Sequence, residues 1–303
     1  MPVIAALLTI YFVWGSTYLA IKVAIETIPP FLMAGVRMLI AGTLLYSFAR
    51  LRGAPSPNMQ EWKATTIVGA FLLLGGNGLV VWAAQKLPSG LLSLLVGATP
   101  ISMILLGSVL GYEKAPGVAT IAGLIVGFLG LAWLVYPAHN ASGARVDLLS
   151  ACAAFCATVS WAWGSHYARR APLPASKMLA IAMEMITGGV LLVIVSVLAG
   201  ELTAVHRGRM SVASLAAVAY LVVFGSLVGF SVYMYLLEKT TPALATSYAF
   251  VNPIVAVILG WALRNEEIGP HVIGGGALII VSVILITMER SRASTGGEDY
   301  EVS

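Results

Sequence analysis

Apolar residues in this chain run in long blocks, without the alternating or striped patterns of water-soluble elements. The blocks fall at 3–22, 31–50, 64–84, 90–111, 117–136, 149–168, 178–198, 212–236, 242–262 and 271–288. Each approaches the ~20 residues that carry a helix across a bilayer. The pattern predicts an all-α membrane protein of ten transmembrane helices. Prolines punctuate the gaps, at Pro29-Pro30, Pro55, Pro57, Pro88, Pro116, Pro172, Pro174, Pro242 and Pro270. A proline costs little at a helix start, where its missing N–H had no intrahelical partner. Little chain remains outside the spans. Residues 291–303 read as a disordered tail, being polar and rich in Gly and Ser.

Composition agrees: 59% of residues are hydrophobic and 10% charged, against about 25% charged in soluble domains. The net charge of +4 comes from residues scattered through the gaps. They form no patch, so nucleic acid is excluded as a partner. They read instead as topology signals. Arg50, Arg52, Lys63, Lys114, Arg169, Arg170, Lys177, Lys239, Arg290 and Arg292 fall on one side. Lys22, Lys86, Arg145, Arg207, Arg209 and Arg264 fall on the other. The bias places both termini in the cytoplasm. Cys152 and Cys156 read as small residues on one helix face. No His or Cys partner stands at metal-ligand spacing, so neither a metal nor another cofactor is expected. The first block lacks a basic leader and a cleavage-like site, so it reads as a retained helix.

WGSTY at Trp14–Tyr18 returns as WGSHY at Trp163–Tyr167. Lys86 and Lys239, Pro100 and Pro253, Glu113 and Glu266, and Gly123 and Gly276 also pair, at one common offset. A five-helix unit at 1–140 is therefore written again at 145–290. Five helices end on the side opposite their start, so the second copy enters upside down. Inverted repeats of this kind build secondary transporters around a central cavity.

WGSTYLAIK in the first block and FLMAGVRMLIAG in the second, with a mid-block proline followed thirteen residues later by Glu in each half, resemble the EamA-type drug/metabolite transporters. The resemblance covers nearly the whole chain. It implies ten helices, cytoplasmic termini and a cavity between two halves. It also implies a bacterial inner-membrane location and export of amino acids or related small metabolites by alternating access. A small-molecule substrate, the lipid bilayer, and a monomer or homodimer follow from it.

Candidate site residues come from depth. Pro100 and Pro253 lie ~15 Å into their helices, near the middle of a ~30 Å core. A proline there frees a carbonyl, which needs protein or a wet cavity beside it. Both are candidate hinges, with Asn252 beside the second; plain packing kinks are the alternative. Trp14 and Tyr18 share one helix face with Lys22, and Trp163 and Tyr167 repeat the pair. These tryptophans lie too deep for an interfacial belt, so they suit a cavity wall or helix packing. Asn77, Trp82, Trp161, Tyr233 and Tyr248 are weaker candidates, and Gly75-Gly76 reads as close helix packing. An aromatic, sparsely charged cavity suits aromatic or amphiphilic solutes better than sugar phosphates.

Arg37 and Glu184 occupy equivalent places, each ~9 Å in from opposite faces, which argues against a salt bridge between them. Arg37 is expected to snorkel outward. Glu184, with a shorter reach, is expected to be protonated, hydrogen-bonded or cavity-facing, and His166 is a second candidate proton carrier. Lys86 and Lys239, with Glu113 and Glu266, read as interfacial anchors or as a pair of gates. No phosphate loop or hydrolase motif occurs, so the chain is not expected to be an enzyme. A non-transporting membrane enzyme or subunit, and drug, cation or sugar cargo, remain as alternatives.

Overall fold

The computed structural model describes residues 2–111, 117–135, 147–204, 210–239 and 248–295. Among these, ten principal helices are formed. They are α1 (Val3–Ala24), α2 (Pro30–Leu51), α3 (Met59–Ala83), α4 (Ser89–Val109), α5 (Val118–Val135), α6 (Leu148–Ala168) and α7 (Lys177–Leu198). Then follow α8, running through Val212–Tyr220, Leu221–Val228 and Gly229–Lys239, then α9 (Tyr248–Arg264) and α10 (Pro270–Thr295). Seven helical runs are long and apolar enough to cross a membrane, and shorter apolar stretches at Val118–Gly130, Val251–Arg264 and Pro270–Ser282 add to them. Glu113 and Pro242, singled out above, lie outside the described residues, as does the tail beyond Thr295.

Local chemistry sets the ends. Pro30 opens α2 at its first turn. Asp147, Ser176 and Ser211 cap α6, α7 and α8 by accepting from backbone amides. α3 starts at Met59, five residues before its apolar block. Asn58 and Glu61 form a capping box there, which winds one further turn of polar sequence into helix.

Two helices depart from α-geometry. The middle of α3, Ala70–Gly78, and the middle of α8, Leu221–Val228, are π-helical. The wider turn displaces carbonyls that an α-helix would hold in its own ladder. A side chain from another helix meets each segment. Ser160 Oγ of α6 donates to Phe71 O at 2.7 Å, and Trp14 Nε1 of α1 donates to Gly225 O at 3.1 Å. α4 is broken at Ala98 into Ser89–Gly97 and Thr99–Val109, with Pro100 in the first turn of the second piece.

The most extensive helix pairs are α5 with α10 and α2 with α7. Both rest on glycine. A Cβ at Gly130 would stand 3.0 Å from Gly275 O, and one at Gly35 would stand 3.1 Å from Gly189 O. Dispersion between close backbones drives such crossings in lipid, where apolar burial gives helices little reason to pair. The remaining contacts recur in matched sets. α1 packs on α8 and α9, while α6 packs on α3 and α4; α2 touches α8, while α7 touches α3. Outward positions such as Leu8, Ile40, Phe48, Ile194 and Trp261 are exposed, as a lipid-facing surface requires.

Candidate functional site

An aromatic set lies at or beside each π segment. Trp14 packs edge-on to Tyr248 with ring centroids 4.6 Å apart, and lies 5.4 Å from Tyr233 and 5.6 Å from Phe230. α1, α8 and α9 thus build one aromatic box. Trp163 stacks on Phe71 at 3.9 Å and on Tyr167 at 5.5 Å, joining α6 to the π segment of α3. The twin motifs therefore play matched parts on α1 and α6. Phe71 and Phe230 were not legible as site residues, because nothing separates them from other apolar positions. Gly75 and Gly76 face Ser160 and Trp161 of α6, whose atoms a Cβ would strike.

Pro253 meets α4 just before its break. Pro253 lies within α9, and its Cγ is 3.1 Å from where a Cβ at Gly97 would stand, one residue before the α4 break. Asn252 is buried, and its backbone carbonyl lies 3.3 Å from the Cβ position of Gly15, next to Trp14. The side-chain oxygens of Asn77 and Asn252 are buried without a hydrogen-bond partner among the described residues. Trp82 is set apart from both aromatic sets. It borders a cavity of about 460 Å³ with Glu26, Phe31, Gln85 and Glu201 at one end of the bundle.

His166 is buried, with Nε2 2.9 Å from Met103 O of α4. Glu184 is half-buried on α7, and its carboxylate has no hydrogen-bond or ion-pair partner among the described residues. Arg37 corrects the expectation. It is 4% exposed and does not snorkel; Nε reaches Ser226 Oγ of α8 at 3.3 Å, and Nη1 is buried without a partner among the described residues. α2 and α7 cross antiparallel, with Gly35 between Gly189 and Val193 and Gly42 between Ala182 and Ile186. Arg37 and Glu184 are thereby offset by about five residues, ~8 Å along the crossing.

Polar bonds concentrate at the end of the bundle holding the α1–α2, α3–α4, α7–α8 and α9–α10 connections. Glu266 caps α4: its carboxylate accepts from Ser89 N and Ser89 Oγ, each at 2.9 Å, and from Gly90 N at 3.2 Å. Asn265 sets it there by taking a left-handed turn after α9, with φ 51°. Lys22 Nζ donates to Leu87 O at 2.7 Å, Arg264 pairs with Glu26, and Glu201 accepts from the first-turn amides of Phe31 and Leu32. Lys86 pairs with Asp147 at 3.1 Å. The Ser150 hydroxyl and amide, with Lys86, hold the Asp147 carboxyl below its ordinary value. Lys239 is exposed at the end of α8, at the opposite end of the bundle.

Ten apolar helices with polar atoms turned inward define a polytopic α-helical membrane protein. The chain belongs to the EamA-like transporter family, whose model matches residues 1–136 and 148–288. It is a membrane transporter with a small-molecule substrate, not an enzyme. It is 38% identical over 293 residues to the inner membrane transporter YedA of Escherichia coli (strain K12), covering 95% of this chain and 91% of that one. It is 27% identical over 293 residues to the chloroplastic WAT1-related protein At3g02690 of Arabidopsis thaliana, covering 92% of this chain and 68% of that one. A solved crystal structure with 18% identity shares the fold, at a TM-score of 0.63 over 94% of this chain and 96% of that one.

Proposed function

We propose that this protein exports amino acids, aromatic ones included, and related small metabolites across the bacterial inner membrane by alternating access. Residues 1–140 and 145–290 act as two inverted five-helix halves around a central cavity, with both termini in the cytoplasm. The observation that carries the reading is the matched pair of aromatic sets, Trp14 on the α8 π segment and Trp163 on the α3 π segment. Paired helix contacts and the shared offset of the two halves support the inversion. The location rests on the likeness to YedA.

In this reading Trp14, Tyr18, Trp163, Tyr167 and Tyr248 contact the cargo, and Asn77 and Asn252 offer it free acceptor oxygens. Pro253 and the broken α4 bend as the halves rock. The bonds around Glu266, Lys22 and Leu87 close one end, and Lys239 serves the other. Trp82 borders the mouth at the closed end. A proton gradient acts through Glu184 and His166.

The test is uptake of radiolabelled phenylalanine, threonine and methionine into proteoliposomes, with and without a pH gradient, against protein-free vesicles. Saturable uptake supports the reading, and dependence on the gradient gives Glu184 and His166 a part in coupling. Absence of uptake by folded protein would sink it. Trp163→Ala should slow uptake while leaving the fold intact. The aromatic box around Trp14 favours a second reading, cationic cargo held against the ring faces. Competition by quaternary ammonium ions in the same assay separates the two.

A further inference from the structure

We propose that Arg37 is the carboxylate-binding residue of the transport site. This rests on the amino-acid reading and narrows it to cargo bearing a single carboxylate next to an apolar or aromatic group. The guanidinium sits inside the bundle, since Val36, Ile40 and Leu44 take the exposed face of α2. Its side chain crosses to the π segment of α8. There Ser226, itself fully buried, receives Nε, and Nη2 lies 4.0 Å from the Cβ position of Gly225. Thr17 Cγ2 of α1 closes on the same position, 3.2 Å from it.

The carbonyl of the same Gly225 accepts from Trp14 Nε1. Arg37 and Trp14 thus converge from α2 and α1 on one step of α8, putting the cation beside the aromatic box. A guanidinium has five donors, and here Ser226 engages one. A buried cation at membrane depth needs a counter-charge. No acidic side chain among the described residues pairs with Arg37, and Glu184, its counterpart on α7, is offset along the crossing. The cargo supplies the missing charge. An Arg fork accepts a planar carboxylate through two parallel bonds. No second cation is bonded at this step among the described residues, so a multiply charged phosphate is poorly matched.

The test uses the full-length protein in detergent and in proteoliposomes. Phenylalanine is compared with phenylalaninamide, which keeps the ring and amine but lacks the carboxylate. The wild type should bind phenylalanine about 10- to 100-fold more tightly than the amide, the range for a hydrogen bond to a charged group. Arg37→Gln should erase that preference by weakening phenylalanine alone, and Arg37→Lys, which keeps the charge but loses the fork, should lower it about tenfold. Should Arg37→Gln fail to fold, the lysine variant decides. An unchanged preference in folded variants overturns the proposal. Thermal stabilisation by a panel of monocarboxylates separates it from the amino-acid reading. Arg37-dependent stabilisation without amino-acid uptake sinks that reading and keeps the carboxylate site. Stabilisation that survives in folded Arg37 variants, or is missing from the wild type, sinks the site.

Discussion

Glu266 holds Ser89 through both its amide and its hydroxyl, and so ties the α9–α10 connection to the head of α4. The carboxylate also meets the partial positive charge of a helix start. A hydrogen bond to a charged group contributes about 1.5–3 kcal/mol, enough to shift a two-state equilibrium about tenfold. Glu266→Gln keeps the shape and removes the charge. Leu91, 5% exposed in the first turn of α4, reports on opening when replaced by cysteine with Cys152 and Cys156 changed to serine. Maleimide labelling of Leu91→Cys should then be about tenfold faster in Glu266→Gln. Equal rates would remove Glu266 from any gate.

Asp147 makes the same end sensitive to acid. Its pKa in the fold is lowered, first by the Ser150 hydroxyl, then by the Ser150 amide and Lys86. A depressed carboxylate contributes stability above its unfolded value, and that contribution is lost as pH falls through the folded value. The melting temperature should therefore drop as pH passes below the ordinary 3.8. Asp147→Ala should begin lower at neutral pH and lose less on acidification. Parallel curves for the two proteins would assign the acid sensitivity elsewhere.

The blocks of apolar sequence were sufficient to find the ten principal helices among the described residues, because lipid demands length and hydropathy and little else. The twin WGSTY and WGSHY motifs pointed to matched places on α1 and α6 for the same reason that Trp14 and Trp163 now hold matched aromatic sets. The π segments were not legible. Gly75, Gly76 and Gly225 permit close packing, but which carbonyls leave the ladder depends on Ser160 and Trp14, which arrive from other helices. Arg37 was misread because the depth of a Cα does not fix the direction of a long side chain. Its stem can reach water or the bundle centre equally well, and the acceptor on α8 decides. The early start of α3 was legible in Asn58 and Glu61, but the apolar block drew the boundary inward.

The α2–α7 crossing should tolerate no added carbon. Cβ atoms at Gly35 and Gly189 would each meet backbone of the facing helix, Val193 N at 3.0 Å and Leu39 N at 3.0 Å. Backbone cannot rotate away as a side-chain tip can. Gly35→Ala and Gly189→Ala should each cost about 1–3 kcal/mol, the range for overpacking. Thermal unfolding in detergent measures this. The two effects should fall short of additive when combined, because one parting of the helices relieves both clashes.

Trp14 joins packing and function, and two substitutions separate them. Trp14→Phe keeps a ring against Tyr233, Tyr248 and Phe230 but releases the Gly225 carbonyl, a loss of about 1 kcal/mol. Trp14→Ala removes the ring as well and should cost about 3–5 kcal/mol. Gly229 gives an independent handle, since a Cβ there would press on the indole nitrogen. Gly229→Ala should therefore imitate Trp14→Phe by pushing the indole off Gly225 and breaking that bond while the side chain is kept. If the bond serves only to hold α1 on α8, both variants lose stability and transport a saturating substrate at the wild-type rate. If it fixes the wall beside Arg37, both raise KM for phenylalanine several-fold and leave KM for phenylalaninamide unchanged. The amide gains nothing from a correctly placed guanidinium, so its insensitivity distinguishes a displaced binding wall from a loosened fold.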